Sequence, residues 1–275
     1  MVDISKGTEG LNFPARASGK IFDDIRHNSA FLKAIGVETF HGDGEIIHAF
    51  GDVTANAVEE TGEKTLSDIE AANVVVLPRK FYVGLPFSDE LQEDHPEVVS
   101  AILGRAGSGI SRKVDADIAS SATITGFATL GKTAATPIAT KQDLWAATST
   151  LAGTDFGVVC SNSFMGYVRG LTTVQGNDAF DITIDANDRT TGTINGLPYY
   201  TFPSATPVAF VADWKANAVA RKVSDVTVKT KYAGFDIDGV DIARRNMFVA
   251  LVEQRLSVGI NPIGNVVAKL VPATS

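Results

Sequence analysis

The sequence holds a single cysteine, Cys160, so no internal disulfide can staple it. No apolar stretch approaches the roughly 20 residues that a membrane-crossing helix needs, which excludes a helical span. Positive charge is scarce: 24 Lys and Arg stand against 32 Asp and Glu, a net charge of −8. That is the wrong sign for a protein whose main task is gripping nucleic-acid phosphates. Met1-Val2-Asp3-Ile4-Ser5-Lys6 lacks the charged-then-apolar plan of a secretory leader. With the lone thiol, this points to a cytosolic protein or a particle assembled in the cytosol. No internal repeat is visible. What is present is an ordinary folding composition, 44% hydrophobic and 20% charged over 275 residues, enough for one large core or two modest ones.

From Met1 to Gly19 the chain is polar and broken by Gly7, Gly10, Pro14 and Gly19, so it reads as an arm. Apolar residues from Ile21 to Ile35 recur at roughly helical spacing and predict a short helix that must lie against something. Val37 to Phe50 reads as strand, broken by Gly42 and Gly44. The acidic stretch Asp52 to Glu70 separates it from the apolar run Val74-Val75-Val76-Leu77 and the alternating Lys80-Phe81-Tyr82-Val83. Two strand segments flanking about 20 polar residues suggest a long two-stranded excursion, a form rarely stable alone in water. A partner surface is therefore expected.

Asp94-His95-Pro96-Glu97 has the form of a helix start, with Asp94 as cap and Glu97 at the capping-box spacing. Val98, Ile102, Ala106, Ile110, Val114 and Ile118 then recur every four residues, with Val99 and Leu103 widening the stripe. A continuous helix to Ser121 would be on the order of 40 Å long at 1.5 Å per residue. Beyond it the spacing predicts helices at Lys141 to Leu151 and Ser163 to Leu171. Strands are predicted at Phe156 to Cys160, Leu197 to Thr201, Val208 to Val211 and through Val219 to Tyr232. Met247 to Ile260 is ambiguous between strand and helix. The layout is α+β, with the last 60 residues expected to rejoin the sheet near the long helix.

Four local patterns carry chemical meaning. Gly126-Phe127-Ala128-Thr129-Leu130-Gly131-Lys132-Thr133 satisfies the P-loop pattern, in which backbone amides cradle phosphate; Val208 to Asp213 could serve as its magnesium-holding partner strand. Pro137, however, would fall in the second turn of the helix that the motif requires. The glycines of Leu103 to Gly109 have the wrong spacing for a dinucleotide turn and suggest close packing. His41, Asp43, Glu45 and His48 are metal-capable, yet histidines seven apart on a strand point to opposite faces. Cys160, with no histidine after it in the chain, reads as an inert small hydrophobe.

The order of several strings resembles the tailed-phage major capsid proteins of the Hong Kong 97 type, over nearly the whole chain. The strings are Glu60-Thr61-Gly62-Glu63, Leu77-Pro78-Arg79-Lys80 with Val83, and Ser88-Asp89-Glu90-Leu91-Gln92-Glu93-Asp94 leading into the long helix. Further along are Asn195-Gly196-Leu197-Pro198-Tyr199, Ala209-Phe210-Val211-Ala212-Asp213-Trp214, Arg245-Asn246-Met247, Glu253-Gln254-Arg255-Leu256 and a closing Pro262 to Lys269. The resemblance implies an α+β capsid fold: an N-terminal arm (1–37), an extended loop with flanking strands (38–85), a peripheral domain with a spine helix (86–121), an axial domain (122–215) and a peripheral return (216–275). It implies a structural protein, many copies of which close as hexamers and pentamers into an icosahedral head around double-stranded DNA, touched without specificity. A portal and a separate scaffolding protein are implied partners, the virion capsid assembled in the host cytoplasm the location, and no cofactor, metal or membrane is needed. An encapsulin-like nanocompartment shell is the alternative within the fold. A P-loop nucleotide hydrolase using Lys132 and Thr133 is the alternative outside it.

The resemblance also implies one autocatalytic step, an isopeptide crosslink between subunits. Lys64 in the loop would attack the Asn246 side chain of a neighbour, with Glu253 accepting the proton. A dry pocket would lower the lysine's pKa.

Overall fold

A computed structural model of the chain describes residues 25–40, 42, 44–50, 69–172, 179–223, 226–237 and 239–273. The expected arm from Met1 to Gly19 and the loop tip carrying Glu60 to Lys64 lie outside the described residues. Helix α1 (Ala30–Ile35) leads into β1 (Val37–Thr39), β2 (Glu45–Phe50), β3 (Ala71–Val76) and the long β4 (Arg79–Ser88). Three helices follow, α2 (Asp89–Asp94), α3 (Pro96–Gly104) and α4 (Ala106–Ile118). The middle of the chain alternates β5 (Ala135–Ile138), α5 (Lys141–Ser149), β6 (Gly157–Ser161) and α6 (Asn162–Gly170). It continues through β7 (Ile182–Ile184), β8 (Thr191–Ile194), β9 (Leu197–Phe202) and β10 (Ala209–Ala212). The last part carries α7 (Trp214–Asn217), β11 (Ala218–Lys222), β12 (Thr227–Lys231), the short pair β13 (Asp236–Ile237) and β14 (Val240–Asp241), then β15 (Met247–Ile260) and β16 (Val267–Pro272).

β15 organises the first sheet. The ambiguous segment becomes a strand because Phe248, Ala250, Val252, Leu256 and Val258 alternate onto one fully buried face. β4 runs antiparallel along one edge of β15, from Met247 opposite Ser88 to Leu256 opposite Arg79. The other edge is shared by β12, opposite Val249 to Glu253, and β11, opposite Leu256 to Ile260, with β1 parallel outside β11. Residues 79–85, expected as a strand flanking the extended loop, pair in this sheet along their length. The second sheet has seven strands in the order β5-β16-β10-β6-β9-β8-β7. β16 lies here, whereas β11, β12 and β15 join the sheet beside the helices.

One core joins α1, α4 and the inner face of the first sheet to Val159, Phe202 and Phe210 of the second; another lies beneath α5 and α6. Phe31 is the hinge-pin of the first, its ring centroid 5.6 Å from Trp214, 5.7 Å from Phe202 and 5.8 Å from Phe210.

The long helix differs from expectation in two ways. Its start is preceded by α2, capped by Ser88, whose hydroxyl accepts from the Leu91 amide at 3.2 Å; Asp94 ends α2 instead of capping α3. It is also divided at Arg105, whose amide closes back on the Ile102 carbonyl at 3.0 Å. Before that break Val99 and Leu103 carry the buried face while Val98 and Ile102 are exposed; after it Ala106, Ile110, Val114 and Ile118 are all buried at the expected spacing of four.

Candidate functional site

The excursion predicted from the two strand segments is an antiparallel pair: β2 faces β3 from Glu45 opposite Val76 to Phe50 opposite Ala71. Its two faces differ. Ala49 and Val76 are buried on the inner face. There Val76 and Ile47 rest on Gly259 of β15, where an added Cβ would come within 2.6 Å of Val76 Cγ2 and 3.0 Å of Ile47 Cδ1. Arg221 of β11 holds the base of the pair through Glu45, at 3.2 Å, and also binds Glu38. Further out, a groove of about 300 Å³ opens between Ile47, Ala49, Phe50 and Val74 on the hairpin and Val219 and Ile260 beneath. The outer face carries Ile46, Phe50 and Val75 at 58%, 63% and 54% exposure, with Ile69 beside them at 54%. Among the described residues, a two-stranded ribbon with an apolar outer face is a surface that calls for a cover.

The open face of the first sheet holds the expected chemistry. Glu253 sits on β15, its carboxylate taking the Lys229 ammonium of β12 at 2.7 Å and the Lys80 ammonium of β4 at 3.4 Å. The Lys229 hydrogen bond holds its pKa below the ordinary glutamate value against partial burial, with Lys80 adding to the effect. A carboxylate so held is a weak proton acceptor. Asn246 precedes β15 in the left-handed region at φ 49°, exposed, and its carbonyl accepts the Asp89 amide at 2.9 Å. Lys64 lies outside the described residues, and the implied crosslink joins it to the Asn246 of another subunit. The two lysines that clamp Glu253 were missed, because no local pattern announces the pairing of β4 and β12 with β15.

The P-loop expectation is corrected. Residues 126–134 form turns with no strand before and no helix after until Lys141. Their glycines serve packing: a Cβ on Gly126, at φ 66°, would fall 2.5 Å from Leu77 Cγ, and one on Gly131 would fall 2.3 Å from the Ser120 carbonyl carbon. Lys132 donates to Thr123 Oγ1 at 2.6 Å. Asp213, the supposed magnesium ligand, is an N-cap: it accepts from the Ala216, Thr154 and Asp155 amides. Pro137 lies in β5, as its ring requires of a strand edge. His48 binds Asn73 at 2.7 Å, and among the described residues no group of three metal-capable side chains converges. Cys160 is fully buried, and burial pushes its thiol up to about 12. Among the described residues no helix is long and apolar enough to cross a membrane.

No protein-family model matches the chain, and no curated protein matches its sequence significantly. Solved structures do match. A structure from Gordonia phage Cozz superposes with a TM-score of 0.65 at 19% identity, covering 89% of this chain and 86% of its own. One from Mycobacterium phage Bobi gives 0.62 at 20% identity, covering 90% and 91%. The capsid of a native GTA particle computed with C5 symmetry gives 0.65 at 12% identity, covering 100% and 96%. At these identities the likeness establishes the fold, which is the α+β Hong Kong 97-type capsid fold over about nine-tenths of the chain.

Proposed function

We propose that this chain is a major capsid subunit of a tailed phage or phage-like particle, many copies of which close into an icosahedral shell. The observation that carries the reading is the hairpin with an apolar outer face, on a chain whose fold matches capsid structures over about nine-tenths of its length. Fully burying such a side chain contributes roughly 1.5–3 kcal/mol. Ile46, Phe50, Ile69 and Val75 are already about half covered. A neighbour that covered the rest would therefore supply on the order of 4 kcal/mol per subunit. Repeated around a closed shell, that modest term becomes decisive.

The same reading divides the chain into arm, extended loop, spine-helix region, axial domain and return, with the loop's base at β2 and β3. It makes packaged double-stranded DNA a non-specific partner, and the net charge of −8 suits a wall that encloses DNA without gripping it. Hexamers and pentamers of the chain, a portal and a separate scaffolding protein complete the proposed assembly, which would form in the host cytoplasm. For Lys64, Asn246 and Glu253 the reading sets a condition: Glu253 must shed both ammonium partners before it can take a proton. Without that step, purified particles boiled in SDS should run as a 29 kDa band, the mass of one chain.

Negative-stain electron microscopy of the purified chain, with nucleic-acid content measured on particles from the natural source, tests the proposal. Closed shells containing DNA are expected. Shells that hold a protein cargo and no DNA would move the reading to a nanocompartment, and a monomer under every assembly condition would overturn both.

A further inference from the structure

The acidic and basic residues of α4 are turned opposite ways. Asp115 and Asp117 are 1% and 5% exposed, whereas Arg112 and Lys113 are exposed, as is Arg105 at the break before the helix. Both acids are engaged inside the protein. Asp115 Oδ1 accepts from Ser29 Oγ at 2.6 Å and the Phe31 amide at 3.3 Å, and its Oδ2 accepts from the Ala30 amide at 3.1 Å. Asp117 takes the Lys113 ammonium at 2.8 Å and the Arg79 guanidinium at 3.3 Å, two cations on one carboxylate. In sequence the stretch is nearly balanced, yet the face it shows to water carries cations alone.

The entering chain adds to that face. Its bonds to Asp115 lay it against α4, and Asn28 Nδ2 comes within 3.5 Å of Ser108 Oγ, between Arg105 and Arg112 in the chain. Arg26 and His27, both exposed, precede Asn28 directly. Among the described residues Arg26, Arg105 and Arg112 make no ion pair. Arg105 and Arg112 are seven residues apart, so they share one side of the helix at a spacing of roughly 10 Å. The surface around them is low, formed by Ser108, Gly109 and Ala116. Exposed acids on this helical run are confined to α2 and the first turn of α3, where Glu97 meets His95 at 3.3 Å.

We propose that this strip, built from Arg26, Arg105 and Arg112 with Lys113 at its margin, contacts the phosphate backbone of duplex DNA. The inference rests on the capsid reading and deepens it, because it fixes which way the subunit faces in the wall. A chain of net charge −8 repels a polyanion overall, so contact forms where acids are turned away. Guanidinium groups suit phosphate through their permanent charge and forked donors. Between the two helical arginines there is no apolar side chain for a protein partner to bury, which favours a phosphate backbone over an acidic protein surface. α4 packs on the buried face of the first sheet through Ile110, Val114 and Ile118, and Glu253 with Lys80 and Lys229 stands on the sheet's other face. In a shell the strip therefore lines the interior and the Glu253 clamp faces outward. Three arginines per subunit give a weak, sequence-blind contact that a packaged duplex can slide across.

Fluorescence anisotropy of a labelled duplex of about 30 base pairs, titrated with the unassembled full-length chain, reads the contact. With three phosphates neutralised, affinity should fall about fortyfold between 50 and 200 mM salt. Arg105→Ala and Arg112→Ala should each weaken binding about tenfold at the lower salt and reduce the salt slope by about 1. Lys132→Ala combined with Lys141→Ala, a loss of two exposed positive charges outside the strip, should change neither. Absence of wild-type binding at about 50 mM salt, or equal weakening by the Lys132 and Lys141 pair, would overturn the inference. Electron microscopy of the same preparations, taken to assembly conditions, separates the two readings. Closed shells from a chain that does not bind the duplex would sink the strip alone, and a chain that binds the duplex through the strip yet never closes would sink the capsid reading.

Discussion

Gly259 fixes the direction in which the hairpin leaves the body of the protein, and replacing it tests that role. In Gly259→Ala the new methyl would lie 2.6 Å from Val76 Cγ2 and 3.0 Å from Ile47 Cδ1. The Ile47 methyl ends a flexible side chain and can swing aside. Val76 is β-branched, stiff at χ1 and 1% exposed, so relief requires β3 to move. Overpacking of this kind costs about 1–3 kcal/mol, offset by about 0.5–1 kcal/mol because alanine restricts the unfolded chain. Urea denaturation of the unassembled chain should therefore show a loss of about 1–2 kcal/mol, and more for Gly259→Val. The strain falls on the hairpin, since β11 pairs with β15 through this position. Shell closure, counted by electron microscopy, should fall further than the stability loss alone would cause. If Gly259→Ala kept wild-type stability and closed shells normally, the seat described here would be wrong.

Phe31→Ala, which removes the ring shared with Phe202, Phe210 and Trp214, should cost about 3–5 kcal/mol by chemical denaturation and leave little soluble protein. Gly104→Ala should do the opposite: nothing lies within 4 Å of the added methyl, and a gain of about 0.5–1 kcal/mol is expected from the same assay. Asp188 bears on acid stability. Burial raises its pKa, but the Lys33 ammonium and the Thr190 hydroxyl and amide outweigh it and hold the group at about 2. A depressed carboxylate contributes stability that is present above its ordinary value and lost as pH falls through about 2. Because Asp188 is 40% exposed, Lys33→Met should cost only about 1 kcal/mol at pH 7, with the difference vanishing below pH 2. Lys132→Ala should leave thermal stability unresponsive to ATP, as in the wild type, because Lys132 is bonded to Thr123 and no phosphate cradle surrounds it.

Much of this fold is legible in the residues. The paired strands around the acidic stretch, the α/β alternation from Lys141 to Phe202 and the inert Cys160 follow from local periodicity and turn residues. Three matters were not legible, each for a physical reason. The helix stripe holds from Ala106 to Ile118, but the break at Arg105 was not legible, and before it Val99 and Leu103 are buried in place of Val98 and Ile102. The P-loop pattern records only residue types, and Gly126 and Gly131 are there because Leu77 and Ser120 press against them. Long-range pairing is invisible to local pattern: nothing near Asp115 announces Ser29, and nothing in Glu253-Gln254-Arg255-Leu256 announces Lys80 and Lys229. The crosslink residues were named from resemblance alone, and the clamp on Glu253 belongs to the sheet pairing.

The most direct measurement is a cryo-electron microscopy reconstruction of particles of this chain isolated from the natural source. The expected result is a closed icosahedral shell in which Ile46, Phe50 and Val75 of each subunit are covered by a neighbouring copy. A closed shell with that face bare to solvent, or a chain that stays monomeric at high concentration, would contradict the central claim.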